Sequence, residues 1–320
     1  MMKQEQWLGA PGATRAVVVG GGTMGADVAV VLLRAGCRTV VVETRPAQHA
    51  VIRAGIAENL RAIDRGDNID LLEIVQSIDD VDWQGVDLMI ECVPEVLQIK
   101  RDLFKTLAER VPAHTLLTSN SSSFPVSQIA RDLPGQERML GLHFFMPAHI
   151  VPLVEIVLGP STAPGVADAV SAFMKRCGSV PILVRKDVPG FIGNRLQHAL
   201  GREAFSLIQE GVATAEDIDA AVRFGFGFRY LAAGPILQKE HAGLDVHAAA
   251  AATIYPTLSN AVQPHAILSD KPKNGQLGMK TGQGFYAWDA QRIAKEKQRY
   301  SRALQASLNI LAEDIPPIEP

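Results

Sequence analysis

The stretch AVVVGGGTMGADVAVVLLRAG, residues 16–36, decides the fold of this chain. Its first residues form a short apolar run typical of a buried parallel strand, and the residues from Thr23 onward have helical spacing. The turn between them carries Gly20, Gly22 and Gly25 at the spacing GxGxxG. After a strand and before a helix, the first glycine allows a tight turn, the second lets the backbone approach a pyrophosphate, and the third lets the helix pack closely.

The residues that follow make this common motif specific. A second apolar run, RTVVVE (38–43), ends in Glu43 about twenty residues after the glycines, where a carboxylate binds the ribose hydroxyls of a dinucleotide. We predict a cofactor site formed by this carboxylate and by the turn residues Gly20, Gly22, Thr23, Met24 and Gly25. Glu43 repels a 2′-phosphate and favours NAD, although Arg45 is a residue that suits NADP. The alternative is a tight turn next to an ordinary strand-end charge.

The same alternation continues along the first part of the chain. Apolar runs are separated by helical stretches until about residue 186, which is the βαβ pattern of a parallel sheet covered on both faces. Beyond Pro189 the patterns are helical only. We therefore predict an α/β fold, with a Rossmann-type, mostly parallel sheet domain over residues 1–186 and an all-helical C-terminal domain over residues 187–320. The further runs are 86–92, 115–120, 139–144, 152–158 and 180–185.

Composition excludes several classes of function. The chain has 320 residues, 47% of them hydrophobic, which is enough apolar material for two domains. A net charge of −3 leaves no basic excess for nucleic acid or a membrane surface, and no apolar run approaches the ~18 residues of a membrane span. Three scattered cysteines encode neither a disulfide framework nor a zinc site, and the polar start MMKQEQWLGAPGATR lacks a signal-peptide core. We expect a cytoplasmic protein that binds a small molecule and no metal.

Polar side chains end several buried runs, at the edge where a parallel sheet binds ligands. They are the serine run 119–123, His143 within GLHFF and Glu155 within PLVEIV. Oxidation of an alcohol needs a base for the hydroxyl proton, and a histidine suits this task at physiological pH. A carboxylate bonded to its other ring nitrogen fixes the tautomer and stabilises the imidazolium, which makes Glu155 the candidate partner. Taken singly, each residue has a structural alternative, a buried core histidine and a glutamate facing water.

In these segments the chain resembles the 3-hydroxyacyl-CoA dehydrogenases. The resemblance extends over nearly the whole sequence and is carried by GGGTMGADVA, ECVPE, SNSSSFPVSQIA, RMLGLHFFMP, PLVEIV, KDVPGFIGNRL and GMKTGQGFY. It implies NAD as cofactor, a homodimer, a place in fatty acid metabolism, and a catalytic pair at His143 and Glu155. It further implies that Ser122 and Asn194 act in catalysis and hydrogen-bond near the substrate oxygen and the nicotinamide, with Glu95 near the cofactor.

These last residues also have structural alternatives. Ser122 could cap the helix that starts near Pro125. Asn194 could be an ordinary polar residue on the first helix of the second domain, and Glu95 could be a solvated loop charge. For Ser122 and Asn194 we favour the functional interpretation, whereas for Glu95 both interpretations stay open.

Departures from the family pattern bear on the substrate. Met146 stands where the family has asparagine in GLHFFNP, and a thioether cannot replace the donors of an amide. The segment between Glu43 and Glu95 is shorter than in the acyl-CoA enzymes, whose helical hairpin contacts CoA through lysines, and it contains arginines but no lysine. A longer loop, 224–235, carries Arg229, which either binds a free carboxylate through a bidentate fork or is simply solvated.

Three functions follow from this resemblance and its departures. The default is interconversion of a 3-hydroxyacyl-CoA, such as 3-hydroxybutyryl-CoA, with its 3-oxo form. The alternative is a free small 3-hydroxy acid, as in the relatives L-gulonate 3-dehydrogenase (lambda-crystallin) and carnitine dehydrogenase. An alternative of another class is a non-catalytic, crystallin-like NAD-binding protein. Apolar residues at helical spacing, such as Leu196, Leu200 and Phe205, independently predict a homodimer through the second domain.

Overall fold

The computed structural model describes residues 7–320, and the first six residues of the polar start discussed above lie outside the described part. The chain divides into two compact units, Met1–Asn194 with Glu313–Pro320, and Arg195–Ala312. An eight-stranded sheet lies in the first unit, and the second is helical. This confirms the predicted class, an α/β fold with a Rossmann-type, mostly parallel sheet followed by a helical domain.

The sheet brings the ends of most strands to one edge. Its strand order is β3-β2-β1-β4-β5-β6-β7-β8, and every neighbouring pair is parallel except β6 and β7. The carboxyl ends of the first six strands therefore meet at the edge where such sheets bind ligands. The strands are β1 (Arg15–Val19), β2 (Arg38–Val42), β3 (Leu72–Val75), β4 (Leu88–Glu91), β5 (Leu116–Ser119), β6 (Met139–Phe144), β7 (Leu153–Leu158) and β8 (Val180–Val184).

The sequence analysis missed β3, which lies at the edge of the sheet and pairs only with β2. Its four residues, LEIV, combine a buried Leu72 with an exposed Glu73 and two half-buried side chains. An edge strand is not covered on both faces, so it lacks the continuous apolar run that identified the other strands. Four residues are also too few for periodicity to separate a strand from a turn.

Helices cover both faces of the sheet. The first unit contains α1 (Thr23–Arg34), α2 (Pro46–Arg61), α3 (Leu97–Arg110), α4 (Val126–Ile129) and α5 (Val166–Arg176). From Val28 to Leu33, α1 is at most 1% exposed, because it packs on one face of the sheet in a single core with residues of α2 and α5. Phe104 and Leu107 of α3 are buried against the opposite face. The stretch that decides the fold thus supplies an inner strand and a fully buried helix.

The rest of the chain is helical. Its helices are α6 (Gly193–Gln209), α7 (Ala215–Ala221), α8 (Gly227–Tyr230), α9 (Pro235–Ala242), α10 (Leu244–Ile254), α11 (Ala266–Lys273) and α12 (Ala290–Ile310). In residues 195–312, which are all described, no apolar side chain is buried. Across residues 7–320, no helix combines the length and the apolar character needed to cross a bilayer.

The division between the units falls after Asn194, whereas the sequence suggested a boundary after residue 186. Residues beyond β8 stay attached to the sheet, because Asp187 accepts a 2.7 Å hydrogen bond from the Ser127 backbone and Gly193 donates to Glu155. The end of the chain also returns to the first unit, where the Glu319 backbone N–H donates to the carbonyl of Arg176.

The segment 224–235, expected as a loop, is largely helical. A π-helical turn covers Val222–Phe226 and continues into α8. Gly225 interrupts the helical backbone with φ −99° and ψ −113°. Arg229 lies on α8 with an exposed side chain.

Candidate active site

The turn between β1 and α1 has the backbone of a dinucleotide-binding turn. Gly20 has φ +109°, and a Cβ there would lie 2.6 Å from the carbonyl oxygen of Cys92, so only glycine fits. A Cβ on Gly25 would collide with the carbonyl of Gly20, which explains how α1 packs so close to the turn. At Gly22 a Cβ would meet no atom within 4 Å, so this side of the turn is open.

The N-terminus of α1 lies at this open side. Gly22 is the N-cap residue, and no side chain of the described residues caps the helix. The first N–H groups, including those of Thr23 and Met24, are therefore left for an external acceptor. Because free N–H groups and the helix dipole favour an anion, this turn fits the pyrophosphate of a dinucleotide.

Glu43 follows β2 and lies beside the glycine turn. A Cβ built on Gly21 would come within 2.9 Å of the Cβ of Glu43. Glu43 is 4% exposed, and its carboxylate accepts hydrogen bonds from the backbone N–H, Nε and Nη2 of Arg45 at 3.0, 2.7 and 3.2 Å. These bonds lower the pKa of Glu43 against the opposing effect of burial. The carboxylate beside the glycine turn is therefore charged at neutral pH.

His143 and Glu155 face each other across the antiparallel pair of strands. They are direct partners in the register of β6 and β7, and Nδ1 of His143 lies 2.7 Å from Oε2 of Glu155. Both side chains are buried. Within residues 7–320, no protein group hydrogen-bonds the other ring nitrogen, Nε2. A carboxylate on Nδ1 selects the tautomer in which Nε2 of the neutral ring accepts a proton.

The second oxygen of Glu155 is also fully engaged. Oε1 accepts hydrogen bonds from the backbone N–H groups of Ile192 and Gly193, both at 2.9 Å, at the start of α6. Burial raises the pKa of Glu155, but the hydrogen bonds from His143, Gly193 and Ile192 outweigh it and lower the pKa below its ordinary value. The carboxylate therefore stays ionised beside the imidazole.

Two aromatic rings hold the imidazole of His143. Phe145 makes an edge contact with ring centroids 4.7 Å apart, and the centroid of Phe191 lies 5.4 Å away. Phe145 in turn lies against Gly193, where a Cβ would collide with its ring. Phe191 has φ +52°, an uncommon conformation for a bulky residue. This packing ties the histidine ring to the turn that precedes α6.

The serine run forms a hydrogen-bonded turn after β5. The hydroxyl of Ser119 donates to Glu91 at 2.6 Å and accepts from the backbone N–H of Ser121 at 3.1 Å. The hydroxyls of Ser121 and Ser123 both donate to Oε1 of Glu95, at 2.6 and 2.5 Å. Two carboxylates therefore fix the shape of this turn from one side.

Ser122 is exposed within this turn, as is Ser123. Its carbonyl accepts a 3.3 Å hydrogen bond from Nδ2 of Asn194, so the structure brings these two predicted residues together. The capping alternative for Ser122 is excluded, because the N-cap residue of α4 is Pro125 and α4 has no side-chain cap.

Glu95 is partly exposed but forms an ion pair with the buried Lys100, so it is not simply a solvated loop charge. Lys100 on α3 is 1% exposed and lies 2.7 Å from Glu91 and 3.1 Å from Glu95. Burial raises the pKa of Glu95, but the hydroxyls of Ser121 and Ser123 and the charge of Lys100 lower it to about 2. The sequence analysis missed Lys100 and Glu91. The available signal was Glu91 within a buried run, because a buried carboxylate requires a partner.

A second histidine–carboxylate pair, also missed, connects α1 to the loop after β6. Nδ1 of His149 lies 2.8 Å from Oδ1 of Asp27, and Oδ2 of Asp27 accepts a 3.0 Å hydrogen bond from the Ala148 backbone. Asp27 is 7% exposed, whereas the side chain of His149 is 21% exposed. An aspartate within an apolar helix was the signal that could have indicated this pair.

The contacts of the first unit therefore join four of the predicted residues. The first two residues of α6 make these contacts: Gly193 donates to Glu155, and Asn194 donates to the carbonyl of Ser122. Met146 lies beyond β6 with 66% of its surface exposed. Arg229 belongs to the second unit, so none of these contacts involves it.

Family profiles match the chain along most of its length. The profile described as the 3-hydroxyacyl-CoA dehydrogenase NAD-binding domain matches residues 15–188. The profile of the C-terminal domain of 3-hydroxyacyl-CoA dehydrogenase matches residues 190–288. The first match contains the glycine turn and Glu43, and NAD is the cofactor, as the sequence predicted.

Individual relatives cover most of the chain. The identity to 5-formyl-3-hydroxy-2-methylpyridine 4-carboxylate 5-dehydrogenase of Mesorhizobium japonicum is 31% over 307 residues, covering 92% of this chain and 97% of the relative. A solved structure of a dehydrogenase of this description, an NAD⁺-dependent dismutase, has a TM-score of 0.87 at 30% identity, with coverages of 93% and 98%. Human mitochondrial hydroxyacyl-coenzyme A dehydrogenase is 34% identical over 286 residues, with coverages of 85% and 90%.

A CoA-ester enzyme of known structure is less similar in fold. (S)-3-hydroxybutyryl-CoA dehydrogenase from Ralstonia eutropha has a TM-score of 0.71 at 29% identity, covering 86% of this chain and 99% of that structure. Both profiles and the full-length relatives agree on the group to which the sequence belongs. The chain is a member of the 3-hydroxyacyl-CoA dehydrogenase family, a family of NAD-dependent dehydrogenases that act on CH–OH groups.

Proposed function

We propose that this chain oxidises a CH–OH group with His143 as the general base and Glu155 as the carboxylate that positions it. The observation that carries this proposal is the buried 2.7 Å contact between Nδ1 of His143 and Glu155, while no group of residues 7–320 hydrogen-bonds Nε2. Nε2 takes the hydroxyl proton, and the charge of Glu155 stabilises the resulting imidazolium. Bound NAD would supply the acceptor for the hydride that leaves the carbon bearing this hydroxyl.

The remaining site residues have proposed roles that follow from their contacts. Gly20, Gly22, Thr23, Met24 and Gly25 hold the pyrophosphate, and Glu43 accepts hydrogen bonds from the ribose. These residues are supported by the open, uncapped N-terminus of α1 and by the charged carboxylate beside it.

Ser122 and Asn194 bind near the substrate oxygen and the nicotinamide in this proposal. The exposed position of Ser122 and the 3.3 Å bond from Asn194 to its carbonyl support a shared role. Glu95 acts indirectly, because its carboxylate is occupied by Lys100 and by the serines on either side of Ser122. We therefore assign Glu95 to positioning Ser122 rather than to direct contact with the cofactor.

We infer that the substrate is a small free carboxylate rather than a CoA thioester. The segment between Glu43 and Glu95 contains one α-helix, α2, followed by a 3₁₀ turn and β3, and thus no helical hairpin. It holds no lysine, and Arg53 is engaged with the carbonyl of Leu72 at 2.8 Å. The CoA contacts that the acyl-CoA enzymes make in this region therefore have no counterpart.

The comparisons support the same substrate class. The relative whose name specifies a pyridine carboxylate covers 92% of this chain, and a structure of that description has a TM-score of 0.87, against 0.71 for the 3-hydroxybutyryl-CoA enzyme. We propose Arg229 as the ligand of the substrate carboxylate, because its guanidinium is exposed and can form a bidentate pair. A 3-hydroxyacyl-CoA of fatty acid metabolism is the second candidate, favoured by the 34% identity to the human enzyme.

Turnover of the two substrate classes distinguishes these candidates. We expect NAD reduction with free acids such as L-gulonate, carnitine or a hydroxymethylpyridine carboxylate, and no turnover of 3-hydroxybutyryl-CoA. Arg229→Ala should raise KM for the free acid roughly tenfold to a hundredfold, the effect of losing a charge-assisted hydrogen bond. Arg223→Ala, on the preceding π-helical turn, is the matched control and should leave KM unchanged. Turnover of the CoA ester that is insensitive to Arg229→Ala would refute the free-acid substrate.

We also propose that the protein is a cytoplasmic homodimer. The second unit has no buried apolar side chain, and Leu196, Ile236, Tyr255 and Val262 are each at least half exposed. A second copy of the chain is the occupant that this surface fits best, because symmetric pairing would bury apolar patches on both copies. Light scattering at micromolar protein concentration tests the homodimer, and a monomeric mass at that concentration would refute it.

Three free cysteines are in keeping with a reducing compartment such as the cytoplasm.

A further inference from the structure

The strand that carries the proposed base loses one of its two neighbours before it ends. The pairing of β5 with β6 stops at Ser119 and Gly141, so among the described strands the last residues of β6, 142–144, pair with β7 alone. Phe144, the final residue of β6, is 2% exposed. Its backbone N–H therefore needs a partner within the protein, because a buried donor without one is costly.

Asn120 supplies this partner. It directly follows β5, and its Oδ1 accepts a 2.8 Å hydrogen bond from the backbone N–H of Phe144. This N–H belongs to the planar peptide group that joins His143 to Phe144. The hydrogen bond therefore restrains ψ of His143, and with it the direction in which the imidazole projects from β6.

Asn120 is itself fixed by the turn in which it lies. Its backbone N–H donates to the carbonyl of Glu91 at 2.9 Å. The hydroxyl of the preceding residue, Ser119, donates to the carboxylate of Glu91, and that of the following residue, Ser121, donates to Glu95, both at 2.6 Å. A well-anchored turn thus presents Oδ1 of Asn120 to the end of β6.

The other contacts of His143 act on its ring. Nδ1 lies 2.7 Å from Glu155, and the ring of Phe145 packs against the imidazole at 4.7 Å between centroids. Given the proposed role of His143 as the base, we propose that Asn120 is a positioning residue, which keeps Nε2 aimed at the substrate hydroxyl by holding the adjoining peptide group. A displacement of the base by about 1 Å is enough to lower the rate roughly hundredfold.

A double-mutant cycle separates this role from a general structural one. Asn120→Leu removes the acceptor at similar size and should lower kcat roughly tenfold to a hundredfold, with KM for NAD within a few fold of native. In a His143→Gln background the same change should lower kcat by no more than a few fold, since no base is left to position. NAD reduction is followed with L-gulonate, carnitine, a hydroxymethylpyridine carboxylate or 3-hydroxybutyryl-CoA.

Thr118→Val is the matched control on the same strand. It removes a buried 2.9 Å hydrogen bond from the Thr118 hydroxyl to the carbonyl of Met89, without touching β6. This variant should keep kcat within a few fold of native. A loss of kcat as large as in Asn120→Leu would show that any buried hydrogen bond of this strand has the same effect, and would overturn the specific role of Asn120.

Proton NMR tests the geometry without a substrate. The proton between Nδ1 of His143 and Glu155 should give a low-field signal, identified by its absence in His143→Gln, and the pair of His149 and Asp27 provides an internal reference. Asn120→Leu should shift or broaden the first signal and leave the second in place. Asn120→Asp keeps an acceptor oxygen at the same position, so it should retain the native signal and most of kcat.

The proposal is overturned if Asn120→Leu leaves the His143 signal and kcat unchanged, or if Asn120→Asp disturbs both as much as Asn120→Leu does. It is also overturned if kcat falls as far in the His143→Gln background as in the native chain. If His143→Gln itself leaves kcat unchanged, the proposed base is wrong. The NMR signal then still decides whether Asn120 positions the imidazole.

Discussion

Two histidine–carboxylate pairs lie on either side of the end of β6 and differ in what surrounds them. In both, Nδ1 faces a carboxylate oxygen, at 2.7 Å for His143 with Glu155 and at 2.8 Å for His149 with Asp27. The first pair lies across the antiparallel strands, while the second joins α1 to a loop. Equal hydrogen-bond geometry therefore does not by itself identify a catalytic histidine.

The two pairs differ in the other contacts that each histidine makes. His143 is held by Phe145 and by the carboxylate, and its backbone lies within a strand. His149 lies in a turn, its carbonyl accepts a hydrogen bond from Arg34, and Asp27 also bonds the neighbouring Ala148. These contacts anchor the loop to α1. We therefore assign chemistry to the first pair and loop attachment to the second.

Replacing each histidine in turn tests the assignment of different roles to the two pairs, and it should give the largest effect. His143→Gln removes the proposed base while keeping a polar side chain of similar size, so kcat should fall by about 10²–10⁴-fold, the usual contribution of a positioned base. NADH binding, measured by fluorescence, should remain close to native. His149→Gln is the matched control and should change kcat by no more than a few fold. Equal losses in the two variants would contradict the separate roles.

Glu155→Gln tests the carboxylate of the first pair. We expect kcat to fall about tenfold to a hundredfold, less than after loss of the base, because Nε2 remains but its imidazolium loses the stabilising charge. Initial rates with saturating NAD measure this effect. An unchanged kcat would make Glu155 a purely structural residue.

The same variant should change the dependence of stability on pH. Hydrogen bonds lower the pKa of Glu155 in the folded chain, so the stability it contributes is present above its unfolded pKa, about 4.3, and is lost as pH falls through the lower folded value. Denaturant unfolding at a series of acidic pH values should therefore give a flatter curve for Glu155→Gln than for the native chain. Parallel curves would contradict the lowered pKa.

The sequence reveals one pair and hides the other for a physical reason. His143 and Glu155 interrupt apolar runs that predict strands, and polar residues at the ends of such runs are conspicuous. Asp27 and His149 are 122 residues apart and meet only after α1 has packed on the sheet. The periodicity of hydrophobic residues along the sequence cannot reveal a contact between residues so far apart. The glycine turn and Glu43 were predictable because one strand–helix–strand unit, from β1 through α1 to the end of β2, contains them.

The same reasoning explains the other omissions. Lys100 lies on a helix whose spacing is compatible with solvent exposure, and only the folded chain places it between Glu91 and Glu95. The edge strand β3 and the helical character of much of 224–235 were missed because short segments with charges or glycines lack a clear period. Tertiary contacts, rather than local preference, decide the structure at these positions.

Asp27→Asn should give the smallest effect of these variants, and it tests whether the second pair acts only in stability. An amide keeps the size of the side chain but removes the charge that strengthens its hydrogen bonds with His149 and with the Ala148 backbone, at a cost of about 1–2 kcal/mol. We expect the free energy of unfolding to fall by this amount in urea denaturation. The proposed base is untouched, so kcat should stay within about tenfold of native, below the range for loss of a base. If kcat instead fell as far as in His143→Gln while stability was unchanged, the second pair would be part of the proton transfer and the assignment of the two pairs would be wrong.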